Sequence, residues 1–96
     1  MHDDAFAWND AKAAQNLRDH RVSFEMARDA FKDAFAVEWT DSGQHAREER
    51  YCLLGVVEDR LLFVPYTVRG DRFRIISARK AEPNERRRYH EESREA

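Results

Sequence analysis

One cysteine, two prolines and three glycines leave this 96-residue chain few of the usual devices of small domains. Cys52 cannot form an internal disulfide, so side-chain packing must supply the core. The opening Met1-His2-Asp3-Asp4 is acidic where a secretory signal would be basic. With the lone cysteine, this predicts a reducing cytoplasm. No apolar run approaches the ~20 residues of a membrane span, so no membrane association is expected. With so little proline and glycine, no repeat and no long linker, residues 1–96 are expected to form a single domain. There is no glycine-rich phosphate loop and no nucleophile elbow. His2, His20, His45 and His90 are scattered, with no pair at ligand spacing, so neither a metal nor another cofactor is expected. The formal net charge of −2 argues against holding nucleic acid by bulk charge.

The chain has ample apolar and charged residues, 42% hydrophobic and 38% charged. That is too apolar for disorder and long enough to bury a real core. The charge is unevenly spread. Residues 1–49 carry 6 Lys/Arg against 11 Asp/Glu, whereas residues 69–88 carry 8 against 3. Such asymmetry suggests one anion-facing surface on an acidic body. The other reading is that these cations pair with acidic residues of the first half.

The pattern of elements predicts an α+β fold. Ala5 to Trp8 reads as a short strand. Asn9 is a good helix N-cap, and Ala11, Ala14 and Leu17 recur at helical spacing up to about His20. Ser23 caps a second helix with Phe24, Ala27 and Phe31 on one stripe, giving a helix hairpin over roughly residues 10–33. Phe35, Val37 and Trp39 alternate as a strand, and residues 40–48 read as a loop. Arg50 to Val57, Arg60 to Val68 and Arg72 to Arg79 form an antiparallel meander. Its turns are Glu58-Asp59 and Arg69-Gly70-Asp71. Pro83 opens a C-terminal helix running to about Ser93. Pro65 must sit at a non-pairing position, a bulge or an edge, because it cannot donate to a ladder.

The run Arg74-Ile75-Ile76-Ser77-Ala78-Arg79-Lys80 begins as a strand and ends in cations. Such a strand can be an ordinary solvated edge or a seat for a phosphate backbone. His20 closes the first helix, where it can be a plain cap or a proton-transfer group. Lys12 lies in the first helical turn, an unfavourable place for a cation that serves no other purpose. Arg50 shares a strand face with Cys52 and Leu54. Glu48 and Glu49 are candidate partners or bases. Tyr66 and Thr67 lie beside the basic turn, and Tyr89 follows Arg86-Arg87-Arg88. Metal-free RNA cleavage needs little more than these residue types. A base must accept the 2′-hydroxyl proton, cations must stabilise the phosphorane, and an acid must protonate the leaving oxygen.

At this point the chain resembles a known family. Phe6-x-Trp8-Asn9-x-x-Lys12, Asn16 and His20-x-Val22-Ser23-Phe24-Glu25 with Ala27 resemble the opening of BrnT-type toxins. Glu49-Arg50-Tyr51 with Gly55, Tyr66-Thr67-x-Arg69-Gly70, Arg74-Ile75-Ile76-Ser77-Ala78-Arg79, Glu85-Arg86 and Tyr89 continue the pattern, which spans residues 6 to 89. The resemblance implies a RelE-like ribonuclease toxin of a type II toxin–antitoxin pair. It would have a small antiparallel sheet packed by an N-terminal helix hairpin and a C-terminal helix. Its implied partners are an RNA substrate and a BrnA-like antitoxin, in a heterotetramer that reaches operator DNA only through the antitoxin. With the basic segment, it implies catalytic roles for Lys12, His20, Glu49, Arg50, Arg74 and Arg79. RNA contact is implied for Thr67, Arg69, Arg72, Ser77 and Lys80.

Two departures from the family pattern stand out. Arg21 occupies the usual glycine position after the histidine, and Pro65 replaces a usual β-branched residue. Either could leave the chain inactive. A non-catalytic binding module, pairing only with a regulator, is the competing reading. Catalysis needs His20, Lys12, Arg50 and Arg79 to converge, whereas binding needs only a basic face.

Overall fold

A computed structural model describes residues 5–41 and 48–93. The elements are β1 (Phe6–Ala7), α1 (Asp10–His20), α2 (Phe24–Ala30), β2 (Val37–Asp41), β3 (Arg50–Val57), β4 (Arg60–Arg69), β5 (Arg72–Ile75), β6 (Arg79–Lys80) and α3 (Pro83–Ser93). They form the α+β fold anticipated from the pattern. The sheet runs β1-β5-β4-β3-β2, with β6 pairing the far half of β4. All pairings are antiparallel except β1 with β5. No helix of the described residues is long and apolar enough to cross a membrane.

Strand alternation sends each side chain to one of two layers. One face of the sheet carries Leu53, Leu62, Val64, Tyr66 and Ile75 against Val22, Phe24, Ala27 and Ala30 of the α2 region. The other carries Leu54, Leu61, Val37 and Phe63 beneath α3. Gly55 lets α2 approach β3, because a Cβ there would collide with the Ala30 carbonyl.

Three expectations need correction. The stripe Ala11, Ala14 and Leu17 does not pack, and Leu17 is 49% exposed. The buried residue of α1 is the polar Asn16. Its amide donates to the Val22 and Ala78 carbonyls at 2.9 and 2.8 Å. Its carbonyl oxygen accepts from Ser77 Oγ and the Ala78 N–H, both at 3.2 Å. A side chain with every hydrogen bond satisfied is worth burying, and it outweighs an alanine-rich stripe with little area to hide.

The second correction concerns β2, which begins at Val37 and runs to Asp41, so that Thr40 and Asp41 of the expected 40–48 loop pair with β3, while residues 42–47 of that loop lie outside the described residues. Asp33 turns the chain before β2, accepting from the Phe35 and Val56 N–H groups at 2.9 Å each. Phe35 is left 57% exposed.

The third concerns the last strand, which breaks into β5 and β6 with residues 76–78 between them. Pro65 explains the break. A strand residue points its N–H and C=O to the same neighbour, and the Pro65 carbonyl accepts from the Ile76 N–H. The missing donor therefore faces the interval 76–78, where no strand needs it.

Arg21 keeps the turn that a glycine would favour. It caps α1 in the left-handed region, at φ 59°, with its N–H on the Leu17 carbonyl. The predicted caps Asn9 and Ser23 accept from Lys12 N and Met26 N at 3.0 Å each.

A candidate RNA-binding cleft

Register builds the site. Arg74 of β5 stands opposite Thr67 of β4, and Thr67 stands opposite Arg50 of β3. Directly opposed residues share a face, so these three side chains form one row across the sheet. Two residues along, Arg69 stands opposite Arg72 on that same face. Like charges so placed destabilise a ladder. Four arginines therefore crowd one end of one face, an arrangement better suited to an arriving anion than to stability.

The N-terminus of α1 closes this patch into a cleft of about 110 Å³. Lys12 joins Arg50, Thr67, Arg69 and Arg74 in its lining, with Ile75 and Ile76 as an apolar wall. Among the described residues, Glu48 is its one carboxylate. Arg69 reaches Glu48 Oε1 at 3.1 Å, while Glu48 Oε2 and Arg50 Nε are buried with no hydrogen-bond partner. The Arg69 hydrogen bond, reinforced by the charges of Arg69 and Arg50, holds the Glu48 carboxyl below its ordinary pKa despite partial desolvation. Thr67 is buried, and its hydroxyl donates to the Glu49 carbonyl at 2.7 Å, fixing the segment that presents Glu48.

The structure thus brings together Lys12, Arg50, Thr67, Arg69 and Arg74 of the expected residues. Arg72 shares their face without lining the cleft. His20 and Ser77 line an adjoining cleft that shares Lys12 and Ile76 with the first. Lys80 is exposed on β6, opposite Leu62.

Glu49 and Arg79 lie elsewhere. Glu49 accepts from the Tyr51 hydroxyl at 2.8 Å and is exposed. Strand parity separates it from Arg50, whereas Glu48 stands two residues from Arg50 and reaches the cleft. That parity was readable once Arg50 had been placed with Cys52 and Leu54. Arg79 stands opposite Phe63, four residues along β4 from Thr67, or about 13 Å at strand rise. Its guanidinium makes two 2.9 Å bonds to Glu85 and lies 4.3 Å from the Phe63 ring centroid. The Glu85 hydrogen bond raises its pKa against a desolvation cost.

Asn16 was visible only as one motif residue, and its role needs the fold. It joins α1 to Ser77 and Ala78, and so fixes the wall between the two clefts. Among the described residues, no three His, Cys, Asp or Glu side chains gather at metal-binding proximity.

No curated protein matches the chain. A family model described as the ribonuclease toxin BrnT of type II toxin–antitoxin systems matches residues 8–85. That span runs from the buried Trp8 through the whole cleft to Glu85, and the chain belongs to the BrnT ribonuclease-toxin family.

Proposed function

We propose that this RelE-like chain is a metal-independent endoribonuclease toxin that works in the cytoplasm, with the Lys12–Arg50–Arg74 cleft as the seat of the scissile phosphate. The observation that carries this reading is a row in which Arg50 and Arg74 flank Thr67, beside Glu48, the one carboxylate that lines the cleft among the described residues, whose Oε2 has no hydrogen-bond partner. The 2′-oxygen of the substrate attacks phosphorus and its proton passes to Glu48. Arg50 and Arg74 stabilise the charge that builds on the phosphorane. The P–O5′ bond breaks and Lys12 supplies a proton to the departing oxygen. The products are a 2′,3′-cyclic phosphate and a 5′-hydroxyl. Thr67 and Arg69 hold Glu48 and the backbone in place, Arg72 guides the strand in, and Ser77 and His20 extend the path beyond Ile76.

A type II toxin implies an antitoxin partner. In this reading a BrnA-like antitoxin covers the cationic face in a heterotetramer, and operator DNA is met only through that partner. Complementary charge would speed their encounter, so association should slow as salt rises.

Purified protein incubated with RNA tests the reaction. Cleavage should give cyclic phosphate ends and persist in EDTA. Loss of activity in chelator, restored by a divalent ion, contradicts the mechanism.

One observation favours a second reading. Arg79 is engaged by Glu85 and does not converge with Lys12 and Arg50. A module that binds RNA or its regulator without cutting needs no such convergence. RNA retained intact by the folded protein would support that reading.

A further inference from the structure

The cationic cleft does not end at Ile76. A second cleft of about 260 Å³ runs along α1, past Gln15, Asp19 and His20, to Ser77. Its chemistry differs from the first. Besides the shared Lys12, it offers an amide, a carboxylate, an imidazole and a hydroxyl. Positions 12, 15, 16, 19 and 20 fall on one helical face by the three- and four-residue spacing of neighbours. Asn16 lies at its base with all four hydrogen bonds made, so the helix and Ser77 keep a fixed relation. Gln15, Asp19 and His20 are exposed, and their side chains have no partner among the described residues.

A second phosphate would be repelled by Asp19. Donors and acceptors of mixed polarity beside a phosphate cleft suit an unpaired base, which proteins read by its hydrogen-bonding edge. We infer that the α1 cleft is a base-reading subsite for the nucleotide adjoining the phosphate in the cationic cleft, with Asp19 and Gln15 setting its preference. This rests on the RNA reading proposed above. A carboxylate accepts from base N–H groups and opposes carbonyl edges. Guanine presents N1–H and its amino group side by side, and adenine and cytosine each present one amino group. Uracil presents a single N3–H between two carbonyls. The subsite should therefore take an amino-bearing base, guanine foremost, and disfavour uracil.

Short RNA oligonucleotides with 2′-fluoro sugars bind without offering a nucleophile, which separates recognition from cleavage. Competition among oligonucleotides with each base at each position should reveal one position where uracil weakens binding about tenfold. Asp19→Asn should abolish that discrimination, and Gln15→Ala should reduce it. Both residues are exposed, so neither substitution threatens the fold. Uniform binding by the wild-type protein, or a preference that survives both substitutions, overturns the inference. A wild-type protein that shows the preference but never cuts RNA removes the ribonuclease reaction and keeps the subsite. One that cuts RNA without reading any base removes the subsite alone.

Discussion

Five of the arginines in residues 69–88 fall into two groups with opposite surroundings. Arg72 and Arg74, joined by Arg50 from β3, make no salt bridge among the described residues, although the charge of Arg50 acts on Glu48, and Arg69 pairs with Glu48 alone. Arg79 and Arg88 are fully employed. Arg79 is clamped by Glu85, and Arg88 lies 3.9 Å from the Trp39 ring centroid while paired with Glu92. This second group holds down α3, a helix with no buried residue of its own. One basic stretch of sequence thus divides into cations left without a salt bridge at the cleft end of the sheet, the proposed anion seat, and a helix clamp. The charge of a segment says little until each cation's partner is known.

Substitution in the first group should strike activity. Arg50→Ala should lower kcat/KM by 10² or more, the scale of losing a donor to developing charge. Stability should change little, since the guanidinium Nε has no partner to lose. Single-turnover cleavage and urea unfolding report the two quantities. A large loss of stability with intact cleavage would erase the distinction between the groups.

Asn16→Ala sharpens the comparison, because it disturbs the cleft wall without touching a cation. It strands the Val22 and Ala78 carbonyls and the Ala78 N–H, and should cost about 3 kcal/mol. Chemical denaturation at constant m-value measures it. A cost below about 1 kcal/mol would mean that α1 is held by something other than Asn16.

Tyr89→Phe loosens α3 from the opposite side. The Tyr89 hydroxyl donates to Asp33 Oδ2 at 2.6 Å, and the loss should be about 1 kcal/mol at neutral pH. Burial and the Asp33 hydrogen bond push the Tyr89 pKa up to about 12 from 10.0. A raised pKa contributes stability that is complete below the unfolded value and lost above the folded one. The difference between wild type and Tyr89→Phe should therefore hold up to about pH 10 and vanish toward pH 12. Asp33 shifts the other way. Burial opposes its charge, but hydrogen bonds from Tyr89, Val56 and Phe35 leave its pKa lowered from 3.8. Its contribution is present above the unfolded value and fades as pH falls through the lower folded one.

Arg21→Gly should have the smallest effect and a stabilising one, about 0.5–1 kcal/mol, by relieving a left-handed non-glycine cap. A thermal midpoint that falls would show that the Arg21 side chain, rather than its backbone, matters to the turn.

Much of the fold was legible because strand parity and capping are local. Asn9, Ser23, the Glu58-Asp59 turn and Pro83 all stand where spacing placed them. What escaped was non-local. The burial of Asn16 depends on carbonyls six and 62 residues away, so no periodicity announces it. The break between β5 and β6 depends on Pro65 in a neighbouring strand. The cleft was half legible, since Lys12, Arg50, Thr67, Arg69 and Arg74 were all singled out. Arg79 and Glu49 look alike to these residues in sequence, which shows charge and adjacency but not the partners Glu85 and Tyr51 that engage them in the fold.

The most direct test is a paired measurement on Arg74→Ala and Arg79→Ala, scoring RNA cleavage and unfolding free energy for each. Arg74→Ala should lose at least 10² in kcat/KM and keep wild-type stability. Arg79→Ala should lose about 2 kcal/mol of stability with its bidentate carboxylate bond, yet cleave RNA at close to the wild-type rate under conditions where it is folded. If folded Arg79→Ala were inactive while Arg74→Ala cut RNA normally, the Lys12–Arg50–Arg74 cleft would not be the seat of the reaction.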